Sequence, residues 1–263
     1  MPAKGKYARR ILNCIPSKES EKDLMFVNAV GAGLFAAAPP VPPSKDLRED
    51  WWDIGDQGST GSCVGWATAD SVLRWHYVKT GRVAQDEHIS PRFIWMAAKE
   101  TDLSRSQPTT FIELEGTSLK AALDIARKFG AVLDPVLPFK SGKLYPDEAK
   151  TFYALAAQLK LTSYFNLGSK LSSWRSWLAT KGPILTRLNV DATWDNADAT
   201  LGNLDVYLPE TIRGGHAVAL VGYTPDRFIV RNSWGTGWGD QGFAYASQAY
   251  AQAAFTEAYG VTI

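Results

Sequence analysis

The apolar positions of this chain change their period part-way along it. After Cys63, the residues Val64, Ala67, Thr68, Ser71, Val72 and Trp75 recur at helical spacing, which predicts a buried helix beginning at Cys63. Ser118, Leu119, Ala122, Leu123, Ala126 and Phe129 repeat the pattern, and Gly130 closes this second amphipathic helix. A third helix is expected from Asp147-Glu148 through Leu159, and a fourth over 169–180, where Lys181-Gly182-Pro183 marks the stop. From Ile184 onward the chain reads as strands, over 184–190, 217–223, 227–231 and 243–247. A helical first half followed by a strand-rich second half indicates an α+β fold. No internal repeat or low-complexity array appears.

The N-terminal region follows neither pattern. Residues 1–23 are basic and polar, with Lys4, Lys6, Arg9 and Arg10 around the short apolar pair Ile11-Leu12. Residues 24–38 are apolar and rich in small residues, ending Ala36-Ala37-Ala38-Pro39, which resembles a cleaved export signal. The long polar stretch ahead of it, with Glu19, Glu21 and Asp23, and the glycines within it argue against export. It is also short for a spanning helix, which needs about 20 residues. The run Pro39-Pro40-Val41-Pro42-Pro43 is stiff and extended, and reads as a linker. Two units are therefore expected: an extension over 1–43 and a main domain over 44–263. Leu24, Met25, Phe26, Val27, Leu34 and Phe35 should not all face water, so the extension is expected to lie back on that domain.

Composition narrows the function by exclusion. Against 28 basic residues stand 27 acidic ones, a net charge of +1 that gives no electrostatic argument for nucleic acid or an anionic membrane. No metal or cofactor is expected, no membrane span, and a monomer is anticipated. The chain has two cysteines, Cys14 and Cys63. Such disulfide poverty fits a reducing compartment, and a cytoplasmic location is slightly favoured over secretion without disulfides. A Cys14–Cys63 bond is conceivable, at the expense of whichever chemistry Cys63 performs.

That chemistry is suggested near the C-terminus. Gly214-Gly215-His216-Ala217 opens an apolar strand, Pro225-Asp226 turns the chain, and 227–231 returns to Asn232-Ser233-Trp234-Gly235. Such a hairpin sets His216 beside Asn232, and an imidazole held by an amide is an oriented base. A thiol of ordinary pKa, about 8.5, is mostly protonated at neutral pH, but a helix N-terminus and a neighbouring histidine lower that value. Cys63 has the first feature by local reading and gains the second if His216 faces it. Taken singly, a buried free cysteine, a strand histidine or a surface glutamine is more often structural. His76 and His88 lack any comparable context.

The three blocks together change that weighting. Gln57-Gly58-x-x-Gly61-Ser62-Cys63, then Gly215-His216-Ala217, then Asn232-Ser233-Trp234-Gly235 resemble the papain family of cysteine peptidases, in the same chain order. The resemblance runs from about residue 46 to the C-terminus, strongly in these blocks and loosely between them. It implies a two-lobed fold with a helical N-terminal lobe, a β-rich C-terminal lobe and the active-site cleft between them. It implies Cys63 as nucleophile, His216 as base, Asn232 as its orienting partner and Gln57 as oxyanion-hole donor. It also implies Trp234 over the His–Asn bond, and Gly116 and Gly215 along the substrate groove. Thr60 stands where the family has a disulfide cysteine, and Val64 where an aromatic residue is usual. The subsite glycine block has only a faint counterpart in Glu115-Gly116-Thr117-Ser118. The expected activity is hydrolysis of peptide or protein substrates through a Cys63 thioester, held latent by the extension, whose apolar residues between 24 and 35 are expected to lie on the aromatic-rich cleft. Acyl transfer through the same thioester, and a peptide-binding pseudoenzyme, are the alternatives.

Overall fold

The change of period becomes a change of layer. A computed structural model of the chain describes residues 6–7, 9–35, 40–101, 115–140 and 145–263. The helix that starts at Cys63 is α-helical over Cys63–Gly65, widens to π geometry over Trp66–Leu73 and returns to α over Arg74–Lys79. Ala67 through Leu73 are all buried, so this helix runs inside the molecule with neighbours all round, as apolar residues on every face require. The helix Pro91–Thr101 crosses it at Gly65, where an added Cβ would lie 2.4 Å from the Pro91 carbonyl oxygen; only glycine permits that approach. The second predicted helix spans Leu119–Lys128, with the Ser118 hydroxyl capping the Ala121 N–H at 3.3 Å. The third is shorter than expected, Ala149–Ala156 with a 3-10 turn over Ala157–Leu159, and the fourth spans Leu171–Thr180.

Among the described residues, eight strands form one sheet. They are β1 (Lys45–Asp46), β2 (Ser163–Asn166), β3 (Ile184–Val190), β4 (Asn203–Leu204), β5 (Gly214–Tyr223), β6 (Arg227–Arg231), β7 (Phe243–Ser247) and β8 (Phe255–Thr262). Their order is β2-β8-β3-β5-β6-β7-β4, with β1 paired to β5. Strand β8, between β2 and β3, was not expected from the sequence. It follows the helix Gln248–Ala254 without any turn residue, and the alanines leading into it read as helix.

The period-two alternation of β5 divides the core. Ala217, Ala219 and Val221 face one apolar cluster, shared with Val64, Val72 and Leu123 of the helical layer. Val218 and Leu220 face a second, built on Trp174, Trp177, Trp194 and Trp238. A central helix on one face and a tryptophan-rich layer on the other make this the expected α+β architecture.

The N-terminal segment is tied to this sheet at two points. Asn13 bridges to Gly215 of β5 and Met25 to Asn166 of β2. The short helix Phe26–Gly31 sets Phe26 edge-on to Trp177, with ring centroids 5.2 Å apart, and Phe35 packs on Phe165. The apolar residues therefore divide: Phe26 is buried, while Leu24, Val27 and Leu34 face solvent. The cleavage-like run Ala36-Ala37-Ala38-Pro39 lies outside the described residues.

Candidate active site

Strand pairing brings the histidine and asparagine together. Ala219 pairs with Arg231 in the β5–β6 hairpin, which leaves Asn232 diagonal to His216 rather than directly across from it. The side chains close that diagonal, with His216 Nε2 2.8 Å from Asn232 Oδ1. The Ser233 backbone N–H also donates to Asn232 Oδ1, at 2.8 Å, which fixes that atom as the carbonyl oxygen. The imidazole therefore donates from Nε2 and leaves Nδ1 as its proton-accepting nitrogen. Trp234 lies over the ring with centroids 5.0 Å apart and Trp194 meets it edge-on, so the pair is shut away from water.

Cys63 lies at the start of the central helix, fully buried. The Ser62 hydroxyl does not cap that helix; it is engaged with Thr60 Oγ1 at 2.6 Å. The Cys63 thiol is held well below the ordinary thiol range. The largest cause is a hydrogen bond from Cys14; burial opposes it, and the His216 imidazole and the Ala217 N–H reinforce it. Cys14 is pushed well above its ordinary value, first by burial and then by the same sulfur–sulfur hydrogen bond.

Gln57 is buried beside them. Its Oε1 accepts from the Ser233 hydroxyl at 3.0 Å, and its Nε2 donates to the Thr60 carbonyl at 3.0 Å. With the amide oxygen fixed in this way, the second Nε2 proton is left to point elsewhere. Thr60 substitutes a hydrogen bond for a covalent staple, donating its hydroxyl to the Gln57 carbonyl at 2.7 Å.

The predicted groove glycines sit where backbone approaches backbone. A Cβ on Gly116 would lie 2.0 Å from the Asn13 carbonyl oxygen, and one on Gly215 2.1 Å from that of Cys14. The occupant of the channel is the chain's own N-terminal segment. Cys14 N–H donates to Gly215 O at 3.0 Å, Ile15 N–H to Thr117 O at 3.2 Å, and Arg187 Nε to Cys14 O at 3.0 Å. Upstream, Tyr7 stacks on Trp234 with centroids 5.9 Å apart, and Arg10 reaches Asp56 and the carbonyls of Gly58 and Trp234.

Sequence reasoning placed the apolar stretch 24–35 against the cleft. The structure instead puts residues 10–15 there, held through the Cys14 and Ile15 backbone and the Arg10 side chain, and uses the apolar stretch to brace the sheet. The physical reason is that the channel offers backbone carbonyls and amides, whereas Trp177 and Phe165 offer rings. Cys14, Arg10, Tyr7 and Arg187 were not expected at the site; the one available signal was that Cys14 is the chain's other cysteine.

Residues 41–261 match the profile of the papain family cysteine proteases. The chain belongs to that family. Membership makes it a cysteine peptidase, a hydrolase. Among curated relatives, Cathepsin B-like CP2 of Giardia intestinalis is 27% identical over 240 residues, covering 82% of this chain and 73% of its own length. Among solved structures, xylellain, a cysteine protease from Xylella fastidiosa, superposes with a TM-score of 0.76 at 19% identity, covering 100% of this chain and 98% of its own. Digestive procathepsin L2 proteinase of Tenebrio molitor larval midgut gives 0.69 at 21% identity, covering 100% and 81%. These structures share the papain fold with this chain. Among the described residues, no helix is long and apolar enough to cross a membrane, and no cluster of three or more His, Cys, Asp or Glu is arranged to hold a metal ion.

Proposed function

We propose that this peptidase cleaves peptide bonds through a thioester on Cys63, with His216 and Asn232 completing its triad, and that residues 10–15 hold it latent by filling the groove. The observation that carries the reading is the bonded His216–Asn232 pair beside a Cys63 thiol held well below its ordinary range.

The Cys63 thiolate attacks the scissile carbonyl carbon, and negative charge moves onto the carbonyl oxygen. Gln57 Nε2, oriented by Ser233, and the Cys63 backbone N–H donate to that oxyanion. The protonated His216 gives its Nδ1 proton to the leaving nitrogen, the C–N bond breaks, and the thioester remains. Water then enters, loses its proton to His216 and attacks the thioester; the acid product departs and the thiolate returns. Asn232 keeps Nε2 occupied throughout, so proton traffic stays on Nδ1. Peptide or protein is the substrate class, engaged along Gly116 and Gly215 once the N-terminal segment has left.

The test is turnover of a fluorogenic peptide by the intact chain, by a chain beginning at Ser44, and by point variants. The shortened chain is expected to be faster, and adding back a 1–43 peptide should inhibit it competitively. Cys63→Ala and His216→Ala should each abolish turnover, while Asn232→Ala retains part of it. Near-normal turnover in His216→Ala would refute the base assignment, and full activity of the intact chain without inhibition by the added peptide would refute latency.

A further inference from the structure

Filling a groove requires bulk, not a thiol, yet the side chain set on the Cys63 sulfur is the chain's only other cysteine. Its main chain is pinned on both sides. Cys14 N–H is bonded to Gly215 O at 3.0 Å, its carbonyl accepts from Arg187 Nε at 3.0 Å, and the next residue is bonded to Thr117 O at 3.2 Å. Both cysteines are buried, at 2% and 0% exposure, in the same apolar cluster, and Cys14 is bonded to Gly215, the residue before His216. A hydrogen bond joins the two thiols.

We propose that Cys14 and Cys63 form an oxidation site, at which a hydroperoxide converts the two thiols into a disulfide that ties the N-terminal segment covalently to the nucleophile until a dithiol reduces it. The proposal rests on Cys63 being the nucleophile of the preceding section. When the segment lifts, the Cys63 thiolate attacks the peroxide oxygen. The O–O bond breaks, hydroxide or alkoxide leaves, and Cys63 becomes a sulfenic acid, oxidised by two electrons. Re-docking returns Cys14 to it. The Cys14 sulfur attacks the sulfenic sulfur, the S–S bond forms, the S–O bond breaks, and the thiol proton leaves with the hydroxyl as water. A dithiol reverses this by exchange and ends as its own disulfide, returning both thiols. In the disulfide state a cut in the linker near Pro40 leaves the segment attached, which a non-covalent plug does not do.

The experiment treats the reduced intact chain, and its Cys14→Ser and Cys14→Ala variants, with stoichiometric hydrogen peroxide. Intact mass, peptide maps under non-reducing conditions and iodoacetamide reactivity after dithiothreitol are then read. The natural chain is expected to lose two hydrogens, to yield one cross-linked peptide containing Cys14 and Cys63, and to recover labelling at Cys63 on reduction. The two variants are expected to gain one oxygen at Cys63 and no cross-link. Dithiothreitol removes that oxygen, but a further equivalent of peroxide converts it to a sulfinic acid that dithiothreitol does not remove, because the sulfenic acid has no resolving thiol to trap it first. Oxygen accumulating on Cys63 in the natural chain as fast as in the variants, without a cross-link, would overturn the proposal. Peptide turnover by the reduced Cys14→Ser chain, compared with Cys63→Ala, is measured in parallel. A missing cross-link beside Cys63-dependent turnover overturns the oxidation site alone. A cross-link in a chain with no turnover under any reducing condition supports the thiol pair and overturns hydrolysis.

Discussion

The side-chain carbonyl of Gln57 is bonded to Ser233 and one of its amide protons to Thr60, so rotation of the amide is blocked before a substrate arrives. Such pre-organisation is what makes a donor effective toward a developing oxyanion. Gln57→Ala is accordingly expected to lower kcat by about 10²–10³ with a much smaller change in KM, read from steady-state kinetics of the shortened chain. A raised KM with kcat unchanged would place Gln57 in ground-state binding instead. At this scale the site was readable because each of its groups stands in a short motif. Cys63 follows Gln57 by six residues, and His216 and Asn232 flank a hairpin whose turn and strands the sequence displays. Cys14 was not readable in the same way. Its place over Cys63 depends on the path of forty-odd intervening residues, which no local pattern encodes.

Among the elements, the helix Leu119–Lys128 has its start and stop written in single residues. Ser118 caps it, and Gly130 follows it at φ +100°, where a Cβ would lie 1.8 Å from the Ala156 carbonyl oxygen. Gly130→Ala should therefore destabilise the fold by at least about 1 kcal/mol, through both backbone strain and collision. Ser118→Ala should cost about 1 kcal/mol through the lost cap. Thermal unfolding is the check, with roughly 2–4 °C expected per kcal/mol in a chain of this size. A Gly130→Ala chain as stable as its parent would contradict the left-handed turn. Elements with such punctuation were anticipated, and those without it were not. The helix Gln248–Ala254 runs directly into β8, and the π turn over Trp66–Leu73 leaves no mark in a pattern that already fits an ordinary helix.

Across the whole molecule, the sheet and the helical layer are joined by charge as well as by apolar packing. Arg231 of β6, fully buried, meets Asp70 of the central helix at 3.0 Å and the Ser71 hydroxyl at 3.0 Å. Asp70→Ala would leave that guanidinium unpaired, and a loss of about 3–5 kcal/mol is expected in denaturant unfolding. An unchanged midpoint would show that Asp53, which also stabilises the Arg231 charge, suffices without Asp70. The docked N-terminal segment depends on a second ion pair. Burial pushes the Asp56 carboxyl up, but Arg10 and the Gly58 N–H outweigh it and hold it below the usual carboxylate range. With the segment released, Asp56 returns toward an ordinary value of about 4. Its contribution to docking is therefore present above that range and is lost as pH falls through the docked value. Arg10→Ala should speed the opening of the segment at neutral pH, and the difference from the natural chain should shrink on acidification to the part that the Gly58 and Trp234 carbonyl bonds contribute. Hydrogen exchange at the Cys14 and Ile15 amides reads this directly, and a difference of the same size at all pH values would remove the ion pair from the account.

The account turns on a Cys63 thiolate sustained by its neighbours. The measurement that tests it most directly is the pH dependence of iodoacetamide labelling in the reduced intact chain, resolved by peptide mass spectrometry into Cys63 and Cys14. Cys63 is expected to be modified well below the pH of about 8.5 at which an ordinary thiol ionises, with Cys14 lagging above it. Two thiols that rise together near pH 8.5 would contradict it.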